Sequence, residues 1–323
     1  MSRGWKRSII DPCLFYKNGL VCLCYVDDCL FFAPNEELIS KEIEVLRDKG
    51  EHEYGFQLEI EDDVAGFLGI LIDKSSEEGS IELKQEGLIK RILKATNLEE
   101  CNSAWTPAEK TPLGKCEEDS PCGEVWNYAS VLGMMMYLAT NSRPDIAYAV
   151  NQCARFSIAP KRKHELAIKR IARYLRGTMN RGMVIDPNKE LRLDLYADAD
   201  FAGLWNVENH DDPISVKSRT GWLLTLGEIP ITWASKLQTE IALSTFEAEY
   251  IALSTGLRQL LAARELIKEI SQEVGIGRET ISIISRAYED NNAALKHAND
   301  PLPKVTPRSK HLGVKHHWFK SKI

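Results

Sequence analysis

Apolar and polar positions follow two different rhythms along this chain. Residues 20–33, LVCLCYVDDCLFFA, are two apolar runs broken by Val26, Asp27 and Asp28, which predicts a tight β-hairpin. Asn35 then sits where a helix cap belongs, ahead of Ile39, Ile43 and Leu46 on one helical face, with Gly50 as the stop. Short strands are expected around Gly66–Ile72 and Ser80–Lys84, followed by a helix from Glu86 to about Ala95. Residues 101–124 carry Pro107, Pro112, Gly114, Pro121 and Gly123, the composition of a linker. A helix follows from Tyr128 to Thr140. Pro160 precedes another, in which Ile168, Ile171, Ala172 and Leu175 form the stripe to be buried and Gly177 the end. Pro187 and Asn188 mark the next boundary.

The last third changes rhythm. Leu191, Leu193 and Leu195 alternate with polar residues, as in a half-buried strand. Further strands are expected at Gly221–Leu226 and Pro230–Ala234, a long helix from Thr245 to about Ile270, a strand at Ile281–Ser285 and a short helix from Asn291. Three strands, a helix, a strand and a helix form an α/β unit with a mixed sheet. The chain as a whole is therefore α/β in content, of the α+β kind.

Composition sets limits. At 323 residues, two or three units are expected. No apolar run approaches the roughly 20 residues of a membrane span, and the basic start lacks the apolar stretch of a secretory signal. The expectation is a cytoplasmic or nuclear protein, not a secreted one, with no membrane partner. Of the eight cysteines, Cys22, Cys24 and Cys29 fall in apolar strands, where cysteine usually serves as a small core residue. Cys116 and Cys122 lack paired metal-ligand spacing, so reduced thiols without disulfides or zinc are expected.

The net charge of -6 hides an asymmetry. Between Arg143 and Arg181, ten Lys and Arg residues face only Asp145 and Glu165, and the tail from Lys304 has no acid. On the expected helix, Lys169, Arg173 and Arg176 share one face opposite the apolar stripe. Any solvated helix shows such a face, but the excess of bases points to phosphate contact as well.

Two acidic constellations carry chemistry. Asp27 and Asp28 at a hairpin tip are costly to ionise together unless a cation or solvent compensates. Asp198 ends the first alternating strand, Glu249 lies on the long helix, and Asp290 stands between the later strand and its helix. Such positions can converge on one sheet edge, and convergent hard oxygen ligands suit Mg²⁺ or Mn²⁺. Glu249 lies about 200° around the helix from Glu247 and in line with Ala252, Leu253 and Gly256. Ser244-Thr245-Phe246-Glu247 has the form of a capping box, which makes Glu247 a helix-start residue.

These motifs together resemble the Ty1/copia-type retrotransposon polyprotein. Tyr25-Val26-Asp27-Asp28 resembles the reverse-transcriptase YVDD motif. Asp11-Pro12-Cys13-Leu14-Phe15-Tyr16, Phe67-Leu68-Gly69-Ile70 and Gln85 match that family's polymerase in order and spacing. Leu132-Gly133-Met134, Arg143-Pro144-Asp145-Ile146 and His164 through Gly177-Thr178 are similar to its connection region. Asp198-Ala199-Asp200, Ser244-Thr245-Phe246-Glu247-Ala248-Glu249-Tyr250 and Asp290-Asn291-Asn292-Ala293-Ala294 resemble its ribonuclease H.

The resemblance implies a reverse-transcriptase palm and thumb in 1–100, truncated because the only acid ahead of Tyr25 is Asp11, which matches another segment. It implies a linker and helical connection in 101–188 and a ribonuclease H-like domain in 189–323. Asp198, Glu249 and Asp290 become catalytic metal ligands, and Asp27 and Asp28 metal ligands of an incomplete polymerase site. Asp200 and Glu247 are neighbours of the ligands. The partners implied are RNA–DNA hybrid, primer–template and the rest of the polyprotein. The closing segment Ser309–Phe319 resembles the family's last motif with Gly313 in place of an acid, and His311 or His316 becomes a proton carrier or a packing residue. The alternative is a catalytically inactive, nucleic-acid-binding relic of such an element.

Overall fold

The computed structural model describes residues 3–50, 55–61, 66–74, 79–116, 118–123, 126–206, 212–275, 283–300, 310 and 318–321. The chain is α+β, with three sheets and seven α-helices among these residues. His311, Gly313 and His316 lie outside them. No helix among them is long and apolar enough to cross a membrane.

The N-terminal sheet is antiparallel, in the order β1 (Lys6–Arg7), β2 (Leu14–Lys17), β3 (Leu20–Tyr25), β4 (Asp28–Phe32). Asn18 and Gly19, at φ 50° and 83°, form the two-residue turn between β2 and β3. Both central residues are left-handed, as a type I′ hairpin turn requires. The expected hairpin at 20–33 is β3–β4. Asp28 belongs to the strand, paired with Tyr25, so the turn proper is Val26 and Asp27. The thiols depart from expectation. Cys22 is buried, but Cys24 is half-buried and Cys29 exposed, because the face of the hairpin near its tip is uncovered. Helix α1 (Glu36–Arg47) starts at Asn35, whose Oδ1 accepts from the Leu38 amide.

Strands β5 (Leu71–Asp73) and β6 (Ile81–Lys84) precede helix α2 (Glu86–Ala95). Helices α3 (Tyr128–Asn141), α4 (Ala147–Ala154) and α5 (Arg162–Gly177) pack with α2 around Ile92, Met135, Leu138, Ile168 and Leu175, each fully buried. The stripe expected on α5 is the buried one. Strand β7 (Met183–Ile185) then returns to pair with β6, closing a three-stranded sheet β5-β6-β7. The Pro- and Gly-rich segment is fastened along α5 through Ala104 N–H to Arg173 O, Cys122 N–H to Pro160 O, and the ring of fully buried His164, which donates from Nε2 to Gly114 O.

The C-terminal unit has the expected element order. Strands β8 (Arg192–Asp200), β9 (Arg219–Leu226), β10 (Ile229–Leu237) and β11 (Ile284–Tyr288) lie in the order β10-β9-β8-β11, with β11 parallel to β8 and the rest antiparallel. The last strand runs three residues later than the alternation suggests. Helix α6 (Thr245–Val274) covers one sheet face with Leu253, Leu257 and Leu260 against Leu193, Leu195 and Leu224. Gly256 permits that packing, since a Cβ there would lie 2.8 Å from Leu195 Cδ1. Helix α7 (Asn292–Asn299) follows β11. Past Leu260, α6 continues beneath the N-terminal sheet. There Leu266, Ile270 and Val274 meet Leu14, Tyr16 and Val21, and Glu269 accepts from Ser8 Oγ and the Ile9 amide. One long helix thus joins two sheets.

Candidate metal centre

Alternation along β8 determines what the strand presents. Leu195, Ala197 and Ala199 are buried, whereas Tyr196, Asp198 and Asp200 are exposed. Helix α6 begins at Ser244, whose Oγ accepts from the Glu247 amide at 3.2 Å. The Glu247 carboxylate accepts from the Leu243 amide at 2.9 Å, one residue further back than a capping box reaches. Two residues on, Glu249 points the other way and is only 5% exposed. The Ala199 backbone N–H on β8 favours its charged form. Asp290 follows β11, just before Asn291, whose Oδ1 caps α7 by accepting from the Ala293 and Ala294 amides.

Strand end, helix and junction converge. One carboxylate oxygen each from Asp198, Glu249 and Asp290 lie within 4.8 Å of one another, and among the described residues this is the only such group of three or more potential ligands. Asp200 and Glu247 are not in it. A fourth acid that the motifs did not mark, Glu289, stands beside the trio and is 8% exposed. Its place between Tyr288 and Asp290 was the available signal.

The electrostatics are unfavourable as they stand. Burial, then the charges of Glu289, Asp198 and Asp290, push Glu249 up to about 7 against the Ala199 N–H. Burial and the charges of Asp290 and Asp198 push Glu289 to about 7 as well. Glu249 Oε2 and Glu289 Oε2 are buried without a hydrogen-bond partner. Orphaned, mutually repelling oxygens are the donor set a hard divalent cation fits, because such a cation satisfies the lone pairs and removes the repulsion. The acids open onto a groove of about 400 Å³ lined by Tyr196, Ala197, Asp198, Tyr288, Glu289 and Asp290. On its wall Tyr196 and Tyr288, cross-strand neighbours, stack with ring centroids 4.8 Å apart.

Asp27 and Asp28 are exposed at the β3–β4 tip. Among the described residues no third acid, thiol or imidazole joins them in a group that could hold one ion. On α5, Lys169 pairs with Glu165 at 2.7 Å, while Arg173 and Arg176 donate from Nε to the carbonyls of Asn102 and Glu99. The two arginines therefore also fasten the segment that runs along the helix, whereas Lys169 pairs within the helix itself.

No protein-family model matches the chain. Its similarity to curated proteins is extensive. It is 31% identical, over its whole length, to a retrovirus-related Pol polyprotein from the tobacco transposon TNT 1-94. It is 29% identical over 99% of its length to that from transposon RE1 of Arabidopsis thaliana. A putative transposon Ty5-1 protein of Saccharomyces cerevisiae is 30% identical over 73% of the chain and 72% of that protein. The chain belongs to the Ty1/copia-type retrotransposon Pol polyproteins. As a Pol segment it corresponds to 23% of the tobacco polyprotein and 20% of the RE1 polyprotein.

Proposed function

We propose that this Pol segment is a metal-dependent ribonuclease H that cuts the RNA strand of RNA–DNA hybrids, joined to part of a reverse-transcriptase palm. The observation that carries the reading is the convergence of Asp198, Glu249 and Asp290, with Glu249 buried and one of its oxygens unpartnered. Those three side chains would hold Mg²⁺ or Mn²⁺. Bound divalent cations activate water and stabilise the leaving oxygen in phosphodiester cleavage.

The chain's own groups do the rest. Ala199 N–H favours the charged Glu249 carboxylate, and Asn291 caps α7 so that Asp290 stays at the strand–helix junction. The groove beside the acids receives the sugar–phosphate backbone. Lys169, Arg173 and Arg176 add sequence-independent contacts to phosphates through the protons their internal partners leave free. Asp27 and Asp28 hold the polymerase metals once a third palm carboxylate completes their site. Primer–template and the remainder of the polyprotein are the corresponding partners.

The test is incubation of the purified chain with a hybrid labelled on its RNA strand, with and without Mg²⁺. Mg²⁺-dependent RNA fragments that disappear in Glu249→Gln support the nuclease. Salt-sensitive binding of the hybrid without cleavage in either protein identifies an inactive, nucleic-acid-binding relic instead.

A further inference from the structure

The N-terminal sheet carries a cluster of thiols that plays no part in the chemistry above. Cys22 and Cys24 are on β3, two residues apart, and share a face of the strand. Cys24 pairs directly with Cys29 on β4. On the other side Leu14 pairs with Leu23, which sets Cys13 opposite Cys24, and the Cys24 amide donates to Cys13 O at 2.9 Å. Cys13, just before β2, and Cys24 and Cys29 therefore form a row across the sheet, with Cys22 beside it. The thiols of Cys22 and then Cys24 lie close enough to the Cys29 sulfur to favour its thiolate.

The pairing geometry distinguishes one couple. Val26 and Asp27 make a two-residue turn that closes on Tyr25 and Asp28. Hydrogen-bonded and non-hydrogen-bonded pairs alternate along an antiparallel ladder. A closing pair exchanges hydrogen bonds, so the next pair, Cys24 and Cys29, is non-hydrogen-bonded. The Cys24 amide agrees, since it turns away from β4 toward Cys13. Such pairs have Cα atoms about 4.5 Å apart, within the roughly 4.4–6.8 Å that a disulfide spans without backbone movement.

We propose that Cys24 and Cys29 are an oxidisable pair that closes into a disulfide across the base of the hairpin carrying Asp27 and Asp28. With hydrogen peroxide as oxidant, the exposed Cys29 sulfur attacks a peroxide oxygen and the O–O bond breaks. One water leaves and Cys29 becomes a sulfenic acid. The Cys24 sulfur attacks the sulfenic sulfur, the S–O bond breaks and a second water leaves. Two thiols and one peroxide become one disulfide and two waters. The bridge encloses Tyr25, Val26, Asp27 and Asp28. Val26 is β-branched yet sits at φ 55°, a strained conformation that the staple holds in place. Oxidation thus fixes the tip on which both acids stand.

The experiment treats the full reduced chain with hydrogen peroxide under native conditions, then alkylates free thiols and digests. Chymotryptic cleavage after Leu23 and Tyr25 separates the three hairpin thiols for mass spectrometry. The expected product is a peptide pair joined through Cys24 and Cys29, two hydrogens lighter, reversed by dithiothreitol and still formed in Cys13→Ser and in Cys22→Ser. In Cys22→Ser combined with Cys24→Ser, Cys29 should accumulate as a dimedone-reactive sulfenic acid. The proposal is overturned if Cys29 links to Cys22 or Cys13 in the parent. It is equally overturned if both thiols remain alkylatable after peroxide, or if the link forms only in denaturant.

Discussion

The buried carboxylate of Glu249 lies beside the backbone N–H of Ala199, the residue that follows Asp198 on β8, and that N–H favours its charged form. The helix acid thus faces the strand that supplies its first neighbour, within 4.8 Å of an Asp198 oxygen. Glu247, two residues earlier, is fastened to Leu243 at the helix start. Glu249→Gln should abolish Mg²⁺-dependent cleavage of a hybrid while leaving the metal-free melting temperature equal or higher, because repulsion from Glu289, Asp198 and Asp290 is relieved. Glu247→Gln keeps an oxygen for the Leu243 amide and should cleave like the parent. Glu247→Ala loses the cap and should cost on the order of 1 kcal/mol. Exchange of the two Gln phenotypes, measured by gel assay and calorimetry, would refute the assignment of roles.

The paired shifts of Glu249 and Glu289 dictate a pH dependence. Both are raised to about 7 in the folded chain, above an unfolded value near 4.3. Below about pH 4 both states carry the protons, and above about pH 8 neither does. Between these limits the folded state holds more protons, so the contribution of these acids to stability falls as pH rises. Metal-free Glu249→Gln should therefore gain on the parent between pH 5 and 8, by about 1–3 kcal/mol at the upper end. Mg²⁺ should stabilise the parent more at pH 8 than at pH 5.5, since binding displaces protons. Thermal shift in a pH series with and without Mg²⁺ reads both effects. A parent–variant difference that does not change with pH contradicts the argument.

How much of this was legible in the sequence depended on how local each cause is. Helix α2 was readable to the residue, and the α5 stripe needed only its 3.6-residue period and Gly177. The β2–β3 turn carried an Asn-Gly signal that went unread. Strand β7 is three residues long and exists because β6, about a hundred residues earlier, offers it an edge, which no local pattern records. Helix α4 was missed because eight mostly small or apolar residues after Pro144 show too little periodicity. At the site, three acids were legible as motifs, whereas Glu289 matters through burial and neighbours that only folding creates. The same holds for the carbonyls of Asn102 and Glu99 that Arg173 and Arg176 hold, whereas the sequence pattern of these bases points only to phosphate contact on a solvated face.

The packing of α6 on β8 gives a stability test away from the acids. Alanine at 256 adds a methyl group 2.8 Å from Leu195 Cδ1 and 3.1 Å from Cδ2, and Leu195 is fully buried. Helix propensity favours the substitution by about 1 kcal/mol, but overpacking typically costs 1–3 kcal/mol. The clash should win, with a net loss of about 1 kcal/mol in chemical denaturation. Shortening the opposing side chain removes the overlap. Gly256→Ala combined with Leu195→Val should therefore be more stable than the sum of the single changes. Strict additivity would mean that the two positions do not press on each other.

The basic helix separates structural from binding roles. Glu165 is 1% exposed and receives Lys169 at 2.7 Å, Arg162 at 2.6 Å and the Gly123 amide at 3.3 Å. Burial pushes its carboxyl up, but the hydrogen bonds from Lys169, Arg162 and Gly123 outweigh it and hold the group at about 2. Its ion pairs therefore add stability that is complete above an unfolded value near 4.3 and is lost as pH falls toward 2. Lys169→Met removes one of two cations from a buried anion and should cost about 1–3 kcal/mol, less than stranding the charge altogether because Arg162 remains. The penalty should shrink as pH is lowered from about 5 toward 3. Arg173 and Arg176 instead bond backbone carbonyls with one nitrogen each, and Arg173 is exposed. Arg173→Gln with Arg176→Gln removes two of the bonds that fasten the segment and should lower the melting temperature modestly, with the chain still folded. It should weaken binding to an RNA–DNA hybrid and lower the slope of log affinity against log salt by about 1 for each phosphate no longer neutralised. Fluorescence anisotropy at several salt concentrations measures that slope. An unchanged affinity and slope in that folded variant would leave the two arginines with the task of fastening residues 99–109 and no other.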